Sequence, residues 1–284
     1  MFDVANLRAR AAIVAGMRRF FDAQGFVGVE TPVRIAAPAP ECHIDCPPVA
    51  TGAFLRASPE LQMKKLLAAG MDRIYQIGPC FRDGEKGTRH NPEFTMIEWY
   101  RRDAGYADIA RDLECLLKAL EPLGRSPLPP FARLTVREAY ARYAGWDPWT
   151  AWDADRFDYD MAVKVEPALA NLGCVFLTDY PLAASSLALV RGDVAERWEF
   201  YWNGLELANC FSELCDEAEQ RRRFAEARTE RRRLGEAEYG EDEDFFPSLP
   251  LIGRAAGVAL GVDRLVMSML GAKAISDVRM VERG

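Results

Sequence analysis

The sequence predicts an α+β fold built on a mainly antiparallel sheet flanked by helices. Two observations predict it. Extended runs come in neighbouring pairs joined by turn or loop signals, and helical periods fall between those pairs. A third sets the scale: 284 residues, 49% hydrophobic and 28% charged, suit an ordinary globular chain with a sizeable core.

The elements follow in order. Leu7, Ala11, Val14, Met17 and Phe21 recur at helical spacing, with Asn6 as expected cap and Gly25 as stop. Phe26 to Thr31 reads as a short strand ended by Pro32. Ser58 as N-cap and Pro59 at the first helical position open a helix that stops at Gly70. Arg73 to Arg82 and Glu93 to Arg101 form a hairpin with the long polar tip Asp83 to Pro92. Tyr106 to Leu120 is helical, Pro122 to Pro130 is a linker, and Thr135 with Glu138 makes a capping box. Residues 145 to 160 show no clear period and receive no assignment. Trp198 to Trp202 and Leu205 to Phe211 flank Asn203-Gly204, a two-residue hairpin turn. Leu214 to Leu234 is a charged helix, Glu236 to Asp244 an acidic loop, and Gly257 to Leu260 a strand leading into a helix from Val262 to about Leu270.

Composition removes several chemistries. With only His43 and His90, far apart, a multi-histidine metal centre within the chain is excluded, and a Ser/His/Asp triad has one of two candidates to use. The net charge of −7 and pI near 5.2 leave any nucleic-acid partner to a local basic patch. Seven scattered cysteines suit a reducing cytosol, and no segment has the length of uncharged apolar chain that spans a bilayer, so a cytoplasmic protein without membrane contact is expected. Cys42, His43 and Cys46 lack the spacing and second ligand pair of a zinc knuckle. The runs Arg221 to Arg223 and Arg231 to Arg233 are interleaved with acids and read as a solvated helix face.

Strand alternation puts Phe94, Met96, Glu98 and Tyr100 on one face, so Glu98 is either a solvated edge carboxylate or a group in a site with two aromatic rings. Arg82 ends its strand beside the polar loop, where a guanidinium can clamp phosphate or simply pair at the surface. A two-residue turn pairs Tyr201 with Glu206 and Glu199 with Ala208, so the two glutamates share a face. They are then either solvated or bridged by a cation such as Mg²⁺. Asn209, Phe211 and Glu213 have the other parity and join that face only if a bulge intervenes, which the sequence leaves open. Glycines 257 and 261 permit close backbone approach to a ligand, and Arg264 either pairs with Asp263 or meets a nucleotide.

These segments together resemble a known family. Gly25-Phe-Val-Gly-Val-Glu-Thr-Pro32, Phe81-Arg82 through Arg89-His90-Asn91-Pro92-Glu93-Phe94, and Gly261-Val-Asp-Arg264 are similar to motifs 1, 2 and 3 of class II aminoacyl-tRNA synthetases. Ser58-Pro59-Glu60, Met96-Ile-Glu98-Trp-Tyr100 and Glu206-Leu-Ala-Asn209-Cys-Phe-Ser-Glu213 extend the likeness, in order, over nearly the whole chain, most closely to the lysyl-tRNA synthetase core. Motif 1 starts almost at Met1, so the expectation is a single catalytic domain over residues 1–284 without an anticodon-binding domain. Ser58 and Ala259 stand where lysyl-tRNA synthetases typically carry alanine and glycine, and in this they resemble the elongation factor P lysine ligases.

The resemblance implies the roles. Arg82 and Arg264 would be catalytic, Arg82 on the ATP α-phosphate and Arg264 with Phe94 around adenine. Asp83, Gly84, Glu85, His90, Asn91, Leu207 and Gly261 would line the ATP site, with Glu199 and Glu206 on ATP and Mg²⁺. Ser58, Pro59, Glu60, Glu98, Tyr100, Asn209, Phe211, Glu213 and Ala259 would form the amino-acid pocket, its carboxylates meeting the two ammonium groups of lysine or (R)-β-lysine. Gly84 replaces the usual motif 2 glutamate, so that either Glu85 or Asp83 substitutes or adenine recognition is weaker. The implied reaction is ATP-dependent adenylation of the amino acid, then transfer to a lysine side chain of elongation factor P. A homodimer is expected and tRNA is not expected as a partner. The alternatives are a synthetase-like enzyme with another acceptor and a catalytically silent lysine-binding paralogue.

Overall fold

The computed structural model describes residues 3–42, 44–49 and 52–281. His43 lies outside them. Twelve strands occur among the described residues: β1 (Val27–Gly28), β2 (Arg34–Ile35), β3 (Pro48–Val49), β4 (Ala53–Leu55), β5 (Arg73–Phe81), β6 (Glu93–Arg102), β7 (Phe131–Thr135), β8 (Cys174–Pro181), β9 (Val190–Arg191), β10 (Val194–Trp202), β11 (Leu205–Ser212) and β12 (Ala255–Gly261). The helices are α1 (Val4–Ala23), α2 (Glu60–Ala68), α3 (Tyr106–Leu120), α4 (Val136–Ala139), α5 (Ala154–Asp160), α6 (Glu166–Leu169), α7 (Glu217–Leu234), α8 (Leu249–Ile252) and α9 (Val262–Leu270).

The main sheet runs β1-β5-β6-β12-β11-β10-β8-β7, with β9 beside β10. Its centre is antiparallel; the end pairs β1/β5 and β7/β8 are parallel. A small sheet, β2-β4-β3, stands apart. On one face of the main sheet Ile13, Met17 and Phe21 of α1, Leu113 and Leu117 of α3, and Leu265 and Val266 of α9 pack on Trp99, Trp198, Phe200 and Val258. On the other, Leu61 and Leu67 of α2 and Leu249 and Ile252 of α8 join Tyr100, Tyr201 and Phe211. The alternation expected for β6 holds, since Ile97 and Trp99 enter the first cluster and Tyr100 the second.

Several local expectations need correction. The cap of α1 is Asp3, whose side chain accepts from the Asn6 N–H; Asn6 is buried and donates to the Asp277 carbonyl, 3.0 Å away. Strand β1 is only two residues long because its pairing with β5 covers Ile74 and Tyr75 alone. Ser58 caps α2 from one position further out, its Oγ accepting the Glu60 N–H at 3.0 Å. Strands β7 and β8 were not expected, and both form by parallel pairing from Phe131↔Cys174 to Thr135↔Thr178. Within residues 145–160, Asp153 caps α5, and Tyr140 stacks on Phe157 with ring centroids 4.7 Å apart. Aromatic packing, not amphipathic periodicity, organises that stretch. Asn203 and Gly204 have φ of 49° and 77°, the left-handed pair a two-residue hairpin turn requires.

Candidate active site

A cleft of ≈430 Å³ opens over β6, β12, β11 and β10. Its shape depends on a bulge. Tyr201 pairs with Glu206 as expected, but Phe200 pairs with Ala208 and Glu199 with Asn209, so Leu207 is the extra residue. The bulge brings Glu199, Glu206 and Asn209 to one wall, and the question left open by strand parity is answered by Leu207.

At one end of the cleft stand Arg82, Glu85, Arg89, His90, Asn91, Phe94, Leu207, Gly261 and Arg264. The Arg82 guanidinium lies over the Phe94 ring, 5.2 Å from its centroid, and meets Glu85 at 3.4 Å. Its Nε is buried without a hydrogen-bond partner among the described residues. Arg264 donates to the Glu206 carbonyl at 2.9 Å and contacts His90. Burial, then the Arg264 charge, lowers the His90 pKa. Asp263 does not pair with Arg264; it binds Arg10 at 2.7 Å and accepts the Thr95 N–H at 2.8 Å, tying α9 to α1 and β6. Asp83 and Gly84 lie outside the lining: the Asp83 N–H donates to the Asp45 carbonyl at 2.7 Å, and Gly84 has φ of +75°. That dihedral strains a glutamate, whereas Glu85 next door faces the cleft.

Glu199 is engaged from both sides, by Arg197 at 2.5 Å and by the Tyr201 hydroxyl at 2.6 Å. Glu206 keeps 40% of its side chain open, yet its position deep in the cleft and then the Glu199 charge raise its pKa. Arg197 was not foreseen. It lies over the Tyr180 ring at 4.3 Å and holds Asn209 at 3.2 Å and Glu199, joining β8, β10 and β11.

At the other end, Ser58, Glu60, Asn209, Phe211 and Ala259 line the cleft, and Glu41 joins them. Glu98, Tyr100 and Glu213 lie beneath this lining, buried at 0%, 3% and 4% exposure. Glu98 accepts from Ser58 Oγ at 2.6 Å and from the Tyr100 hydroxyl at 2.7 Å. Burial, then Glu60, pushes the Glu98 carboxyl up to about 8 against those two bonds. Lys64, fully buried, bridges Glu60 and Glu213 at 2.5 Å each. Burial opposes its charge, but the two carboxylates raise its pKa. Pro59 serves as the turn into α2 and does not line the cleft. Gly257 faces Tyr100 and not a ligand, since a Cβ there would stand 2.1 Å from the ring.

Elsewhere, burial pushes the Cys46 thiol up to about 11, and Cys42 donates to the Ala227 carbonyl at 3.8 Å. Among the described residues no three His, Cys, Asp or Glu side chains gather to hold a metal. No described helix is long and apolar enough to cross a membrane.

A family model described as tRNA synthetases class II (D, K and N) matches residues 4–281. The chain belongs to this class II family. Membership accounts for the antiparallel sheet and implies the use of ATP. Within the family the chain is similar to proteins named elongation factor P–(R)-beta-lysine ligase. The one from Proteus mirabilis is 37% identical over 314 residues, covering 97% of this chain and 94% of the relative. Those from Yersinia enterocolitica and Pasteurella multocida are 37% and 35% identical with the same coverage. In this class II chain the three sequence motifs come together at β1, at the β5–β6 hairpin and at the β12–α9 junction.

Proposed function

We propose that the protein is a ligase that activates (R)-β-lysine with ATP as an aminoacyl-adenylate and transfers it to a lysine side chain of elongation factor P. The observation that carries this reading is the division of one cleft into two ends. Arg82, Arg89 and Arg264 line it toward Gly261, while Glu41, Glu60 and Ser58, the last backed by the buried Glu98, line it toward Ala259. A molecule that fits both is polyanionic at one end and cationic at the other, as ATP beside a diamino acid is. The names of the relatives supply the acid and the acceptor.

In the first step a substrate carboxylate oxygen attacks the α-phosphorus. A new O–P bond forms and the bond to pyrophosphate breaks. Charge grows on the phosphoryl oxygens, and Arg82, which lines the cleft, would stabilise it. The guanidinium lies over Phe94, the ring that would stack on adenine. In the second step the acceptor amine attacks the carbonyl carbon, AMP leaves, and the amine gives up its proton. The side chains fit Mg²⁺: Glu206 offers an open carboxylate, and Glu199 stands behind it with both oxygens already accepting. Glu206 and Glu199 would hold the ion, which would supply positive charge against the leaving pyrophosphate.

The seven free cysteines accord with a cytoplasmic enzyme. Strand β1, paired on one side only and carrying the exposed Val27, accords with a homodimer joined near Pro32. The test is ATP–pyrophosphate exchange. It should be stimulated more by (R)-β-lysine than by α-lysine and not by asparagine. Lysine binding without exchange would favour the silent paralogue instead.

A further inference from the structure

The amino-acid end of the cleft holds one carboxylate more than the motifs assign. Glu41 lines the cleft beside Ser58 and Glu60, and all three border a side cavity of ≈20 Å³. Burial raises its pKa, Glu60 adds to the rise, and Arg82, Arg197 and Lys64 oppose it. These charged groups, on α2, just beyond β5 and on β10, lie in or next to the cleft that Glu41 lines.

Its neighbours are engaged and it is not. Glu60 and Glu213 share Lys64, and Glu98 accepts from Ser58 and Tyr100. The Glu41 carboxylate has no hydrogen-bond or ion-pair partner among the described residues. Nor does it hang on a loose loop. Arg231, 1% exposed, donates to the carbonyls of Glu41 at 2.8 Å and Ile44 at 3.1 Å and pairs with Asp45 at 2.6 Å. The Cys46 N–H donates to the Tyr239 hydroxyl at 2.9 Å. A carboxylate carried on a clamped stretch of backbone and left without a cation is available to a cationic group of the ligand.

We propose that Glu41 determines substrate specificity by receiving one of the two ammonium groups of the diamino acid, Lys64 having already taken Glu60 and Glu213. This rests on the function proposed above. The experiment compares wild type, Glu41→Gln and Glu41→Asp in ATP–pyrophosphate exchange with (R)-β-lysine, alongside thermal melts. Glu41→Gln should raise the KM for (R)-β-lysine about tenfold to a hundredfold, the loss of one charge-assisted bond, with the KM for ATP and the melting midpoint unchanged. Glu41→Asp, which keeps the charge but draws it back by one methylene, should fall between. If the glutamine variant melts early, the aspartate variant decides by the same split between the two KM values. An unmoved KM for (R)-β-lysine, or equal rises for both substrates, overturns the assignment of Glu41. A wild-type chain silent with every lysine isomer would instead remove the proposed activity, and this inference with it.

Discussion

Gly257 sets how close Tyr100 comes to β12. A Cβ at this position would stand 2.1 and 2.2 Å from two ring carbons of Tyr100 and 2.8 Å from Glu213 Oε1, so no side chain fits without moving the floor of the amino-acid end. Gly257→Ala should cost about 1–3 kcal/mol in overpacking, read as a lower urea midpoint. Since Tyr100 donates to Glu98, the KM for the amino acid should rise with it while the KM for ATP holds. Native stability and an unmoved KM would show that the ring has room. The glycine was legible in the sequence as a point of close approach, but not what approaches: that is set by the pairing of Gly257 with Tyr100 across strands. Arg231 shows the same limit. Within α7 it looks like its solvated neighbours Arg232 and Arg233, yet its partners Glu41 and Asp45 are about 190 residues away.

At the scale of elements, what was legible had a local signature. Thr135 with Glu138, and Asn203-Gly204, act through bonds or dihedrals among neighbours, and both occur where expected. The parallel pair β7/β8 has none, because Phe131 and Cys174 meet only after the intervening helices fold back. The Leu207 bulge is also silent, since Glu206-Leu-Ala-Asn209 reads as a continuous strand. Its consequence is functional, because without it Asn209 leaves the wall that holds Glu206. Most of the residues the motifs single out line this one cleft, because strand order and register bring the motifs together, but their depth has no sequence signature. Glu98, Tyr100 and Glu213, expected to form the pocket, lie beneath its lining, and Glu41 and Arg197 join it from outside the motifs.

For the whole molecule, the net charge of −7 is partly gathered in one cleft. Burial and mutual repulsion raise Glu98, to about 8, and also raise Glu41, Glu206 and Glu213. Such groups hold protons in the native state that the unfolded chain has released above about 4.5. The unliganded protein should therefore lose stability as pH rises from about 5 to 8. His90, lowered from 6.5, works in the opposite sense but is one group against these four, to which Asp112 and Glu166, also raised by burial, add. The thermal midpoint should fall across that window and fall less when a diamino acid supplies the missing cations. A flat or rising midpoint without ligand would contradict the electrostatic account.

A cleft proposed to take ATP and a diamino acid still needs an acceptor, and the acceptor separates the ligase reading from its alternatives. The direct measurement incubates the protein with ATP, Mg²⁺ and (R)-β-lysine in the presence of both purified elongation factor P and lysine tRNA, and follows each acceptor. The account predicts a single β-lysyl group on an elongation factor P lysine side chain and an uncharged tRNA. Aminoacylated tRNA beside unmodified elongation factor P would contradict it.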